Sequence, residues 1–161
     1  MNVFMISLKS ETEDRMSTSY ETDVVKWANE QAEFIRTGRF DLLDREHLAE
    51  EIEDVGKSEQ RELANRMAVL LAHLLKWQHQ PGRRGSSWAS TIRIQRKEIS
   101  WVLKDAPSLA SRLRDPLWID RFWSNGVSQV ITETGLDCFP ETCPWSIEEE
   151  VLKEGWLPEN P

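Results

Sequence analysis

The sequence predicts an all-α fold: a bundle of about four main helices around one long helix, with a wrapping C-terminal tail. Three observations carry this. Apolar residues recur at steps of three and four along most of the chain. Gly, Pro, Asp and Ser punctuate it at helix-length intervals. No run alternates apolar and polar residues as a half-buried strand would. A chain of 161 residues fits one domain, which we assign to residues 16–161. Residues 1–15 lack sustained periodicity and read as a disordered N-terminal extension, with Met16 as an alternative start.

The first helix spans about 22–37. Thr22 can cap it, Val24, Trp27, Gln31 and Phe34 or Ile35 lie along one face, and Gly38 is placed to end it. Arg39-Phe40-Asp41 then turns the chain into the longest pattern, Asp44 to Gln80, whose stripe is Leu48, Ile52, Val55, Leu63, Met67, Leu70, Leu74 and Trp77. At ~1.5 Å per residue this helix would run for roughly 55 Å, and Gly56 is the natural place for a bend. Asp44 or Asp41 can accept its free amides, and Glu46, Glu50 and Glu51 suit its positive end.

Gln80-Pro-Gly-Arg-Arg-Gly-Ser-Ser reverses the chain, and Ser86 or Ser87 caps a third helix at about 88–104 with the stripe Trp88, Ile92, Gln95, Ile99 and Val102. A tight reversal makes these two helices antiparallel, with Trp88 facing Trp77 and Gln95 facing Leu70. Asp105-Ala-Pro opens a short helix to about Leu113, and Asp115-Pro116 opens another to Thr134, stopped by Gly135. Its stripe is Ile119, Phe122, Trp123, Val127 and Val130. In the tail, Ser146 and Glu149 form a capping box for a short helix at 147–153, and Phe139, Trp145 and Trp156 strap the bundle.

Three polar residues interrupt the long helix's stripe. At ~100° per residue from Ile52, Glu59, Arg66 and His73 fall near −20°, −40° and −60°, a row at seven-residue spacing on the buried side. Buried unpaired, each would cost a few kcal/mol, so each needs a partner, and Gln95 lies one turn from Arg66 and His73. The candidate polar or anion site is therefore Glu59, Arg66, His73, Lys76, Trp77, Arg93, Gln95 and Arg96. A structural network that fixes helix register uses the same positions.

Charge is unevenly spread. The formal net charge is −8, yet residues 73–104 hold seven bases and one acid, whereas 10–62 hold 16 acids and seven bases. Overall acidity argues against nucleic acid as a partner, while the basic middle admits an anion there. Two cysteines, Cys138 and Cys143, are too few for a disulfide scaffold or a four-ligand zinc site, and read as small buried hydrophobes in a reduced, cytoplasmic protein. The longest uncharged apolar run, Met67–Leu75, is about half the ~18 to 20 residues a bilayer needs, so no membrane partner is expected. Eight tryptophans are many for this length; most belong in the core, leaving a minority for a partner surface.

Several phrases occur together: Leu48-Ala49-Glu50-Glu51-Ile52-Glu53, Leu70-Leu71-Ala72-His73-Leu74-Leu75-Lys76-Trp77, Ser87-Trp88 with Thr91-Ile92 and Gln95-Arg96, Pro107-Ser108-Leu109, and Phe139-Pro140-Glu141-Thr142-Cys143-Pro144-Trp145. The set resembles the bacterial family catalogued as domain of unknown function 29, over nearly the whole chain after Tyr20. The resemblance implies a small, soluble, all-helical bacterial protein and brings no catalytic residue with it.

Three functions follow from the residues. A non-enzymatic interaction module, acting with a protein partner or a second copy, would use Ile94 and Trp101, which fall off the third helix's main stripe, and Trp118 off that of Ile119 and Phe122. An anion or nucleic-acid site would use the basic turn and helix at 76–97, where helix amides meet Lys76, Arg83, Arg84, Arg93 and Arg96. An enzyme would use His73 with Glu59, and Lys76 as an oxyanion holder. Asp44, His47 and Glu51 have ligand spacing on one helix but no second motif to complete a metal site, so no metal is assigned. The nucleotide-binding glycine loops, the zinc-protease helix and the serine elbow are missing from the sequence, and no cofactor is expected.

Overall fold

A computed structural model describes residues 17–161, and every regular element among them is helical. The α-helices are α1 (Val24–Arg36), α2 (Arg45–His79), α3 (Ser86–Asp105) and α4 (Pro116–Thr134). Short 3-10 segments at Phe40–Leu42, Pro81–Arg83 and Pro107–Leu113 and a π turn at Ile147–Val151 link or follow them. The all-α architecture expected from the periodicity is the one adopted. The extension expected at 1–15 lies outside the described residues. The stretch read as one domain consists of two compact units that divide between Glu53 and Asp54, with α2 continuous from one into the other.

In the first unit, α1 is capped by Asp23 and not by Thr22: its carboxylate accepts the Lys26 amide at 3.0 Å. Trp27 and Gln31 are the buried residues of this helix, which ends at Thr37 before Gly38 takes φ +72°, a conformation glycine adopts without strain. Asp44 starts α2, accepting the His47 amide on its side chain at 3.3 Å and the Leu48 amide on its carbonyl at 3.0 Å.

The hydrogen-bonded helix runs unbroken through Gly56. Its apolar stripe changes character along its length. Ile52 and Val55, expected in the core, are 71% and 67% exposed, whereas Leu63, Met67, Leu70, Leu71, Leu74 and Leu75 are fully buried. Periodicity marks a face; burial requires a second element on it, and in the second unit the core built on α2 starts at Leu63. There α2 meets Ile92 and Ile99 of α3, Leu109 and Leu113 of the 3-10 segment, and Phe122, Trp123 and Val130 of α4. α4 approaches α2 closely at Gly126, where an added Cβ would lie 2.9 Å from Leu71 Cβ and 3.2 Å from the Ala68 carbonyl oxygen.

Pro81–Arg83 makes the reversal, and α3 begins at Ser86 behind an extended Gly85, which offers no side-chain cap. Ser86 and Ser87, expected as caps, therefore sit inside the first turn. Lys76 over Trp88 near the turn and Arg66 against Glu98 further out are the pairings an antiparallel hairpin requires. Asp115 caps α4 and Gly135 (φ +73°) ends it, at the expected boundaries. The tail is fixed by aromatics and one arginine. Trp123 Nε1 donates to the Pro140 carbonyl at 2.9 Å, Trp145 packs edge-on between Trp123 and Trp156, and the Arg96 guanidinium donates to the carbonyls of Val151 (2.8 Å) and Trp156 (2.7 Å). Ser146 caps the last turn at the Glu149 amide, but the carboxylate that reaches back to the Ser146 amide is Glu150, at 2.7 Å. The wider π turn moves the returning acid one residue along.

Candidate functional site

The buried end of α2 builds a hydrogen-bonded chain. A carbonyl only accepts, so His73 Nδ1 carries the proton it gives the Val69 carbonyl at 2.9 Å, which leaves Nε2 as an acceptor. The Lys76 ammonium, three residues on, lies 3.3 Å from that nitrogen and donates to Glu133 of α4 at 2.5 Å. Glu133 also accepts from Gln129 at 2.8 Å, and the Trp88 ring faces the ammonium at 5.4 Å. Lys76 is only 7% exposed, so all its charge is answered inside the protein. Burial is the chief cause that pushes the His73 imidazole below its ordinary range, and the Lys76 charge adds to it. Burial also works to raise Glu133, but hydrogen bonds from Lys76 and Gln129 and the Lys76 charge together hold its carboxyl below the usual range.

About two turns before His73, Arg66 makes a second cluster. Its guanidinium donates to Glu62 at 2.6 Å and reaches Glu98 of α3 at 3.2 Å and Gln95 Oε1 at 3.5 Å. The amide expected beside Arg66 is there. Glu59, expected in the same buried row, is exposed, because the uncovered part of the helix extends past it. Trp77 is half-buried under the Arg84 guanidinium, which also donates to the Trp77 carbonyl at 2.7 Å and to Asn160. Arg96 belongs to the tail clamp, and Arg93 is exposed on the outside of α3. The eight predicted residues are thus not one site: His73 with Lys76, Arg66 with Gln95, and Arg96 with the tail are three separate internal networks. His73 has both ring nitrogens engaged and Glu59 is not beside it, so that pair has no proton-transfer geometry.

The first unit holds a cluster that spacing alone did not reveal. Asp44 accepts from Trp27 Nε1 at 3.0 Å and His47 Nδ1 at 2.7 Å, while its backbone amide donates to Gln31 Oε1 at 2.8 Å. Tyr20 stacks on His47 with centroids 4.4 Å apart and donates its hydroxyl to Glu51 at 2.5 Å. The hydrogen bond to Asp44 is the main cause that raises His47 above its ordinary range. Of the carboxylates that resembled metal ligands, Asp44 accepts from Trp27 and His47 and Glu51 from Tyr20, and among the described residues no group of three or more His, Cys, Asp or Glu is arranged to hold a metal. Trp27 at i, Gln31 at i+4 and a capping Asp44 were all visible in the sequence; that they converge needs the reversal at 37–43.

The outer face of α3 is one of the places where large apolar side chains stay exposed. Ile94 and Trp101 are each 48% exposed, with Arg93, Lys97 and Lys104 around them and the Lys97 ammonium 5.0 Å from the Trp101 ring centre. Trp118, the other off-stripe tryptophan, is half-buried between Arg112 and Arg121, at 5.1 and 5.2 Å. No helix among the described residues is long and apolar enough to cross a membrane. A family model described as Domain of unknown function DUF29 matches residues 19–157. No curated protein and no solved structure matches the chain.

Proposed function

The chain belongs to the DUF29 family, and we propose that this member is a non-enzymatic interaction module that docks an acidic protein surface on the outer face of α3. The observation that supports this reading is the combination at that face: two large apolar side chains half in water, with the exposed cations Arg93, Lys97 and Lys104 along the same side of the helix and the Lys97 ammonium over the Trp101 ring. Four other cations of the second unit, Arg66, Lys76, Arg84 and Arg96, are engaged by partners within it. An aromatic anchor within a ring of like charge is the composition of a binding hot spot with electrostatic steering. The test is a photo-crosslinking side chain placed at Trp101 in living cells, with Leu117 of α4, 81% exposed, as the control position. The expected result is a discrete protein adduct from position 101 and none from 117, lost with Lys97→Glu and Lys104→Glu; an adduct of twice the chain mass identifies a second copy as the partner. Equal labelling at both positions, or an adduct indifferent to charge reversal, contradicts the reading.

A second reading rests on the start of α3. Gly85 leaves the first-turn amides without a side-chain cap, and Ser86, Ser87, Ser90 and Arg93 border a shallow depression there. A phosphate-bearing ligand fits that chemistry. Inorganic phosphate and a short oligonucleotide at low salt should then raise the thermal midpoint, and Arg93→Ala should remove the shift; no shift at low salt rules this reading out.

A further inference from the structure

The two cysteines were expected to be alike, and they are not. Cys143 is half-buried, donates its thiol to the Trp145 carbonyl at 3.5 Å, and is raised above the ordinary thiol range chiefly by burial. Cys138 is exposed, and its Sγ lies 3.6 Å from Nδ1 of His79, the last residue of α2. This contact is built in from both sides. Gly135 ends α4 and turns the chain, Phe139 then packs edge-on against the His79 ring at 5.0 Å, and the Pro140 carbonyl is held by Trp123. Half-burial disfavours the imidazolium, and in the tautomer that carries its proton on Nε2 the ring turns Nδ1 to the Cys138 sulfur as an acceptor.

We propose that Cys138 with His79 is a thiol-exchange site, which takes up a low-molecular-weight thiol from its disulfide. Breaking the Cys138 S–H bond gives the proton to His79 Nδ1, and the sulfur attacks one sulfur of the disulfide R–S–S–R. A new S–S bond forms to Cys138, the old one breaks, and the departing thiolate takes a proton from the imidazolium to leave as R–SH. Cys138 sulfur is oxidised and the leaving sulfur reduced, with no net change in protons. His79 is the base, and the edge-on Phe139 holds it in line. Cys143, hydrogen-bonded to a carbonyl and partly covered, serves as an internal control.

The test incubates the full chain with oxidised glutathione and follows mixed-disulfide formation at each cysteine by peptide mass spectrometry. Cys138 should be modified well ahead of Cys143 in the folded chain, and urea unfolding should bring the two to a common rate by slowing the first and speeding the second. His79→Gln, with helical circular dichroism unchanged, should slow Cys138 by about tenfold, a modest share of what a positioned base can contribute. If that variant fails to fold, the folded-against-unfolded comparison on the unaltered chain still decides. Equal rates in the folded chain, a Cys138 no faster folded than unfolded, or a rate indifferent to His79→Gln overturns the proposal.

Discussion

At the scale of single residues, the protein sets two histidines against each other. His47 gains a carboxylate partner and is raised; His73 is buried beside an ammonium and lowered. A proton titration by NMR should find His47 above the ordinary 6.5 and His73 below it. The stability consequences have opposite signs. His47 stabilises the fold at pH values below the unfolded-state pKa, and that contribution is lost as pH rises through its raised folded value. His73 stabilises the fold above the unfolded-state pKa, and its contribution is lost as pH falls toward its lowered value, with Glu133 failing in the same direction further into acid. Two histidines titrating together near the unperturbed value would refute both environments. The Lys76–Glu133 pair carries a second asymmetry, since Lys76 is buried and the Glu133 side chain is 38% exposed. Glu133→Ala strands a buried ammonium and should cost about 2 to 3 kcal/mol in urea unfolding, whereas Lys76→Met removes the charge, keeps the stem's packing, and should cost about 1 kcal/mol or less. The reverse order would mean that the ammonium is solvated.

At the scale of elements, the hydrophobic pattern revealed the helices and said less about what covers them. Pro116 to Thr134 and the reversal between α2 and α3 were legible from caps, prolines and glycines, because these act within a turn of where they stand, and the helix expected at about 22–37 was found at Val24–Arg36 with its cap one residue on, at Asp23. Ile52, Val55 and Glu59 were misplaced for one reason: a helical stripe states a direction, and only tertiary packing decides whether that direction faces protein or water. Gly126 was missed for the complementary reason. It interrupts no periodicity, and its role is to let α4 touch the backbone of α2 at Ala68 and Ala72. Alanine there gains about 1 kcal/mol in helix propensity but must push apart two helices in contact. Gly126→Ala should therefore destabilise the chain by about 1 to 3 kcal/mol in chemical denaturation, while Gly56→Ala, with nothing within 4 Å of its added methyl, should stabilise it by up to about 1 kcal/mol. Equal effects at the two glycines would remove the close approach.

At the scale of the whole molecule, the buried polar residues that stood out in the sequence tie the helices of the second unit together. The row at Arg66, His73 and Lys76 is answered from α3 and α4 and fixes how the helices of the second unit register. The predicted candidate site dissolved because a one-dimensional pattern can show that a charge is buried but not which distant acid meets it: Glu98 and Glu133 lie 32 and 57 residues beyond their partners. What the pattern did mark was Ile94 and Trp101, off the main stripe and exposed. The central claim is that architecture and recognition are separate, the first in the buried row and the second on the outer face of α3. It is tested most directly by the yield of the Trp101 crosslink, normalised to folded protein, in Glu133→Ala and in the Lys97→Glu, Lys104→Glu double variant. The account predicts an unchanged yield in the first, despite its lower stability, and a lost yield in the second, with stability within about 0.5 kcal/mol of the parent. A yield abolished by Glu133→Ala in folded protein and untouched by reversing the two lysines would contradict it.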